Sequence, residues 1–179
     1  TTAKRGKGGI IHMVRSFQTD LFGQDILDRF VHTQFTKSNR ANRMGIALDF
    51  EGEPFQAPNQ LNILSEIIAV GDIQMTGDGR PFILMNEAQT TGGYPRLGTV
   101  LNPDLRKIAQ ALPGTTFSFK LLNIEDAQAF LVKDEYNLAH VNRHVTNVVY
   151  DVTEITTLHE YNLVSGFVSA LDEGDKHEY

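Results

Sequence analysis

Between Ile67 to Met75 and Pro81 to Met85, two stretches rich in strand-forming residues, the chain carries Thr76-Gly77-Asp78-Gly79. Glycine on both sides of an aspartate supplies the backbone freedom that a tight reversal needs. Two adjacent antiparallel strands are therefore expected, and a chain with a hairpin at its centre builds outward from it as a sheet.

The rest of the sequence agrees with that start. Ile10 to Val14 is short and β-branched and follows Gly8-Gly9, which predicts a buried strand. Gly45 to Phe50 is rich in β-formers, and Thr115 to Leu121 alternates apolar and polar residues as a half-buried strand does. Three short helices punctuate the strands. Ile26, Leu27, Phe30 and Val31 share one face of the first, over Asp25 to Val31. Asn102 is expected to cap the second, with Pro103 at its first position and Leu105, Ile108, Ala109 and Leu112 as its apolar stripe before Pro113-Gly114 stops it. Asn123 is expected to cap the third, with Glu125 and Asp126 in its first turn. No fixed-period repeat is present, so the expectation is a mainly β fold with short α-helices, closed as a compact sheet or barrel.

The expected organisation has three parts. Residues 1–9 hold Lys4, Arg5 and Lys7 among Gly6, Gly8 and Gly9 and read as a flexible basic linker or cut end. Residues 10–136 form the main domain. Residues 137–179 form an extension in which Val145 to Val152 reads as a strand and Gly166 to Leu171 is weakly apolar.

Composition excludes several classes of function. With no cysteine, disulfides and thiolate chemistry are ruled out. A net charge of −6, with no sustained Lys and Arg cluster after the first seven residues, argues against nucleic acid as a partner. No apolar run reaches the roughly 18 to 20 residues that span a bilayer, so no membrane role and a cytoplasmic location are expected. His140 and His144 are spaced to share a helical face, but no Glu lies between them and no third ligand is evident, so no metal site is assigned. His12 is expected to be packed or hydrogen-bonded within its strand.

The chemically richest stretch is Gln89-Thr90-Thr91-Gly92-Gly93-Tyr94-Pro95-Arg96-Leu97-Gly98. A side-chain amide, two hydroxyls, a phenol and a guanidinium fall within eight residues around a Gly-Gly pair. Glycine lets the backbone approach a ligand closely, so this is either a binding loop or a tight connection with Tyr94 packed in the core. It lacks the Lys-Ser/Thr ending of a phosphate loop.

The same loop carries a family resemblance. Gln89 to Arg96 resembles the signature of the carboxyltransferase-type family that contains the C subunit of 5-oxoprolinase, KipA-like proteins and the second subunit of allophanate hydrolase. Ordered matches flank it: Asp78-Gly79-Arg80-Pro81 and the apolar strand after it, Leu97-Gly98-Thr99-Val100, the helix from Asp104 to Gln110, Arg43-Met44-Gly45, Leu64-Ser65-Glu66 and Gln18. They extend over roughly residues 10 to 132. The resemblance is to the C-terminal, cyclophilin-like half of that family and implies a cyclophilin-like β-barrel. The chain departs from the pattern at Ala41, where the family has Ser, at Ala47, where it has a second Arg, and at Arg15-Ser16-Phe17, where it has Pro-Gly-Pro.

Candidate roles follow. Arg43 binds a substrate carboxylate or phosphate bidentately, or pairs with Glu66 or Asp49. Glu66 is a catalytic base, or a carboxylate that orients Arg43. Tyr94 is a catalytic hydrogen-bond donor to a developing oxyanion, or a core residue. Gln89 reads an amide group, Thr90 and Thr91 are further donors, and the Gly92 and Gly93 backbone approaches the ligand. Arg96 is a second substrate-binding guanidinium, or a solvated surface residue.

The resemblance implies a subunit of an ATP-dependent complex that processes a small amide or lactam substrate, 5-oxoproline to glutamate, with a companion protein of the 5-oxoprolinase B or KipI type. Two alternatives stand beside it: a carboxyltransferase domain that takes a carboxyl group from biotin to urea, and a non-catalytic KipA-like module that antagonises a kinase inhibitor. ATP or biotin is then a cofactor of the complex. This chain shows no ATP-grasp signature and no biotin-attachment sequence, and activity of the chain alone is not expected.

Overall fold

The computed structural model describes residues 8–57 and 64–145. Contacts within the chain separate two units, Thr1–His140 and Val141–Tyr179. In the first, nine strands and three helices run in the order β1 (Gly9–Val14), α1 (Gln24–His32), β2 (Gln34–Ala41), β3 (Gly45–Asp49), β4 (Glu66–Ile67), β5 (Asp72–Met75), β6 (Pro81–Leu84), β7 (Thr91–Gly92), β8 (Arg96–Val100), α2 (Asn102–Gln110), β9 (Thr116–Leu121) and α3 (Ile124–Ala139).

Seven strands close a barrel in the order β1-β8-β5-β6-β3-β2-β9, and β4 and β7 form a separate two-stranded sheet. Only β1 and β9 run parallel within the barrel; the other pairings are antiparallel. Closure removes the free edges that an open sheet of such short strands would expose. The mainly β barrel with short helices is the expected architecture.

Side-chain alternation fills the interior. Ile11 and Met13 of β1, Phe35 of β2, Ile46 and Leu48 of β3, Ile73 and Met75 of β5, Ile83 of β6, Leu97 of β8, and Phe117 and Phe119 of β9 all enter one core. Helix α1 adds Leu27 and Phe30. The Phe30 ring lies 4.7 Å from Phe35 and 4.9 Å from Phe119, so the helix is seated on the barrel by an aromatic cluster.

The hairpin forms where the glycines predict it, with Met75 opposite Pro81. Gly79 has φ +71°, and a Cβ there would lie 2.5 Å from Pro54 Cβ, so glycine is required for two reasons at once. Asn123 caps α3 by accepting from the Asp126 amide at 2.7 Å.

Several expectations change. The stretch Ile67 to Met75 is not one strand: Ile67 belongs to β4, and β5 begins only at Asp72. Strand β1 is buried on one side only, because Ile10 faces out. Leu101, not Asn102, occupies the N-cap of α2, and Asn102 is the first helical residue. Of its proposed stripe only Leu105 and Ile108 are buried; the helix ends at Gln110, leaving Leu112 exposed, while Asp104 turns inward instead. Asp104 accepts from the His12 amide at 2.6 Å, from His12 Nδ1 at 2.7 Å and from Lys107 at 2.7 Å, tying α2 to β1. His12, whose ring also lies 4.5 Å from Phe130, is thus hydrogen-bonded and packed.

Strand β2 had no sequence signal, because Gln34 to Ala41 is mostly polar. It contains Lys37, which is buried and donates to the carbonyls of Ile108, Ala109 and Ala111 at 3.0, 3.2 and 2.8 Å, capping the C-terminus of α2. Helix α3 runs unbroken across residue 136. His140 donates from Nδ1 to the Tyr136 carbonyl at 2.7 Å. In the second unit, Val141–His144 form a single 3-10 turn, and the strand expected over Val145 to Val152 and the stretch Gly166 to Leu171 lie outside the described residues except for Val145. No helix among the described residues is long and apolar enough to cross a membrane.

Candidate functional site

Alternation along β5 and β6 decides what faces outward. Because Ile73, Met75 and Ile83 fill the core, Gln74, Phe82 and Leu84 lie on the outer face of the barrel. That face does not meet bulk solvent directly. The segment Ala88 to Tyr94 passes over it, and with Asn42, Met44 and Ile68 it encloses a cleft of about 350 Å3, within the range of small-molecule sites.

Both rims are tied to the scaffold. On one side, β7 pairs with β4, Glu66 opposite Gly92 and Ile67 opposite Thr91, and the Ile68 amide donates to the Thr90 carbonyl at 3.1 Å. On the other, Asn42 Oδ1 accepts from the amides of Met44 and Gly45 at 2.9 and 3.1 Å, a side-chain-closed turn. The Met85 and Glu87 amides donate to the carbonyls of Met44 and Arg43 at 2.9 and 3.0 Å, joining that turn to the segment after β6.

The structure brings part of the proposed residue set together. Gln89, Thr91, Gly92, Gly93 and Tyr94 all line the cleft. Tyr94 is half exposed at its edge, so it is not a core residue. Thr90 is exposed and is engaged through its carbonyl rather than placed in the cleft.

Arg43 and Glu66 depart from expectation. Arg43 pairs with Glu87, not with Glu66 or Asp49, and its side chain is largely exposed. It lines a neighbouring cleft of about 550 Å3, which shares Asn42 with the first. Asp49 is paired instead with Arg80 at 3.1 Å. Glu66 does not orient Arg43; it meets Arg96 at 2.6 Å and accepts from Gln18 Nε2 at 2.8 Å.

Arg96 is the largest departure, because the solvated reading is reversed. Its side chain is 4% exposed and every part of the guanidinium has a protein partner. Nη2 donates to Glu66, Nη1 to the Ile67 carbonyl at 2.7 Å with Asp72 at 3.4 Å, and Nε to Gln18 Oε1 at 3.1 Å. The Phe17 ring stacks over it at 4.4 Å. The network joins β4, β5, β8 and the 3-10 turn at Thr19–Leu21, and so holds the β4–β7 sheet against the barrel.

Chemically, the cleft is a neutral, predominantly apolar surface that carries a few polar groups. None of its lining residues is Asp, Glu, Lys, Arg or His, and Tyr94 is its only ionisable group. It offers amides at Asn42, Gln74 and Gln89 and hydroxyls at Thr91 and Tyr94, a set suited to an amide or ureide rather than an anion. Charge lies next door, where Lys37, whose ammonium burial holds below the ordinary lysine value, and Arg43 line the neighbouring cleft. At the hairpin, the Thr76 hydroxyl holds the Asp78 carboxyl below the usual carboxylate range.

Sequence reasoning missed Gln74, Ile68, Phe82 and Leu84. Gln74 was the one polar residue between Ile73 and Met75, which marks an outward position in a strand; what covers that position is not written locally.

The chain matches the family described as carboxyltransferase domain, subdomain A and B, over residues 1–121. It is 35% identical over 112 residues to the C subunit of 5-oxoprolinase from Haemophilus influenzae, a match covering 63% of this chain and 36% of the relative. It is 34% identical over 100 residues to the C subunit of 5-oxoprolinase from Escherichia coli, covering 56% of this chain and 32% of the relative. The aligned stretch is thus about a third of each relative's length. In fold it is similar to the crystal structure of the K. lactis urea amidolyase, with a TM-score of 0.65 at 21% identity, covering 76% of this chain and 9% of that one.

Proposed function

Because the chain belongs to the family of carboxyltransferase domains, subdomains A and B, we propose that it supplies the amide-binding surface of an ATP-dependent complex that opens 5-oxoproline to glutamate, working with a companion protein of the 5-oxoprolinase B or KipI type. The observation that carries this reading is the cleft of about 350 Å3 lined by neutral amide and hydroxyl groups.

5-Oxoproline is a five-membered lactam bearing a carboxylate. Its ring amide suits the neutral cleft, with Gln89 reading the amide and Thr91 donating to it, while Gly92 and Gly93 allow close approach. Tyr94 stands at the cleft edge and would donate to the oxygen on which charge develops as the ring carbonyl is attacked. Arg43, in the cleft that shares Asn42, would take the carboxylate once released from Glu87. Arg96 and Glu66 act through position: occupied by each other, Gln18 and Asp72, they hold the β4–β7 sheet that forms the rim. Thr90 acts the same way through its carbonyl.

The triphosphate of ATP does not fit this cleft, whose lining holds no Lys or Arg to neutralise it. No step in this cleft is therefore routed through ATP, and we assign its chemistry to the companion protein. Catalysis is proposed for the complex rather than for this chain alone. A carboxyltransferase reading rests on the same neutrality: the ureido ring of biotin is planar and uncharged, Gln89 and Thr91 would hold it, and biotin when bound would supply the carboxyl group.

The test is co-expression with the companion protein, co-purification, and a 5-oxoproline-dependent ATPase assay with and without this chain. Arg43→Ala and Tyr94→Ala in the complex are expected to lower activity roughly tenfold or more, as loss of a charged contact or an oxyanion donor does. Unchanged activity in both variants would refute the site.

A further inference from the structure

Gln74 is buried to 6% exposure, and its Nε2 has no hydrogen-bond partner. A desolvated amide donor left unpaired destabilises a fold, a loss that a leucine or methionine at the same place would avoid. Its neighbours show that local satisfaction is the rule in this region. On the same outer face of β5, Asp72 accepts from Ala69 and Thr99 and meets Arg96, and Gln18 serves both Glu66 and Arg96. Gln74 joins none of these bonds, although its strand register puts it opposite Arg96.

Two further observations say what the free amide faces. Gln74 lines the neutral cleft beside Gln89, Thr91 and Tyr94. Above it stands Gly92, where a Cβ would lie 2.7 Å from Gln74 Nε2 and 3.3 Å from Ile68 Cγ2, so the missing side chain at Gly92 leaves the amide its room.

We propose that Gln74 is a ligand-reading residue that selects a neutral cis-amide, a lactam or a urea, by pairing with it edge to edge. A primary side-chain amide presents an N–H donor and a carbonyl acceptor on one edge. A lactam ring or a urea presents the complementary N–H and C=O side by side, whereas an open-chain secondary amide is trans and offers only one of the two on each edge. Nε2 donates to the ligand carbonyl and Oε1 accepts from the ligand N–H. The unpaired donor of the free protein is thereby matched only when such a ligand is bound. This rests on the amide-ligand reading of the cleft and adds to it Gln74, as an amide reader beside Gln89, and the geometry it selects.

The experiment uses the 15N-labelled full chain, titrated separately with 2-pyrrolidinone, urea at sub-denaturing concentration, N-methylacetamide and 5-oxoproline, following the Gln74 side-chain NH2 resonances. The expected result is that 2-pyrrolidinone and urea move those resonances and N-methylacetamide at equal concentration does not. Gln74→Leu should bind 2-pyrrolidinone roughly tenfold more weakly, for two lost neutral hydrogen bonds, while its Tm stays equal or rises. Gly92→Ala, which drives a methyl against the amide, should weaken binding as well.

If Gln74→Leu binds 2-pyrrolidinone as the wild type does, or if no cis-amide probe moves the Gln74 resonances, the inference is overturned; wild-type binding of 5-oxoproline in that case would leave the proposed function standing. If 2-pyrrolidinone binds through Gln74 and 5-oxoproline does not bind, the inference holds and the 5-oxoproline assignment falls. Equal shifts from N-methylacetamide would overturn the cis-amide selection. A fall in the Tm of Gln74→Leu together with an unmoved wild-type NH2 signal would assign Gln74 a structural role instead.

Discussion

Replacing Arg96 with methionine keeps most of the side-chain volume and removes the guanidinium from the centre of its network. Asp72, itself 4% exposed, then keeps only the Ala69 amide at 2.9 Å and the Thr99 hydroxyl at 2.7 Å, with no cation. The Ile67 carbonyl loses its side-chain donor as well, while Gln18 Oε1 loses Nε but keeps the backbone amide of residue 96 at 3.0 Å. Removing one member of a buried pair costs about 3–5 kcal/mol, most of it from the carboxylate left behind. Glu66 is 41% exposed and is rescued by water, so its share is discounted to about 1 kcal/mol or less. At roughly 2–4 °C per kcal/mol for a chain of this size, the Tm should fall on the order of 10 °C. Thermal unfolding followed by circular dichroism measures the total, and amide exchange at Ile68, whose N–H bonds to Thr90, reports whether the β4–β7 sheet loosens first. Arg96→Lys keeps the charge but not the planar fork and should lie between the two. An Arg96→Met protein that unfolds within 1 kcal/mol of wild type yet loses amide binding would refute the positioning role and make Arg96 a direct ligand contact.

Lys37 gives a pH prediction. Its folded-state value is lowered from 10.5 by burial, so between that lowered value and 10.5 the unfolded chain holds a proton that the folded chain does not. The contribution of Lys37 to stability is therefore complete above 10.5 and is lost as pH falls through the folded value. Urea unfolding of wild type and Lys37→Met across this window should show a positive slope with pH in wild type that flattens in the variant; parallel curves would contradict the burial argument. Gly79→Ala should destabilise by more than about 1 kcal/mol, because φ +71° and the 2.5 Å approach to Pro54 Cβ both oppose a side chain, as a lower urea midpoint would report. Asn123→Ala should lower stability by about 1 kcal/mol through loss of the cap on the Asp126 amide, with Asn123→Asp restoring it in the same measurement.

Much of the barrel was legible in advance because its signals are local. Gly79 sits within the turn it creates and Pro81 opens the strand after it, Asn123 is three residues from the amide it caps, and alternation from Thr116 to Leu121 needs only a strand and an inside to explain it. Where the signal is not local, the reading failed. Strand β2 is mostly polar, and the buried Lys37 within it caps a helix that begins 65 residues later, while Leu112 lies beyond the end of the helix whose stripe its spacing continues. The loop from Gln89 to Arg96 is legible in the sequence, but the partners of Arg43, Glu66 and Arg96 are not, since guanidinium and carboxylate groups pair by distance in space and the chain offers several of each.

Residue type and spacing by themselves determined a mainly β chain with three short helices and a glycine-containing loop rich in hydrogen-bonding groups. Only the closed barrel decided which charges cancel and which groups stay open. Arg96 is withdrawn into contact with Glu66 and Asp72, while Gln74, outward on β5, is left unpaired beneath Gly92. The physical reason is that burial and pairing depend on which strands become neighbours, and barrel closure brings together residues that are far apart in sequence.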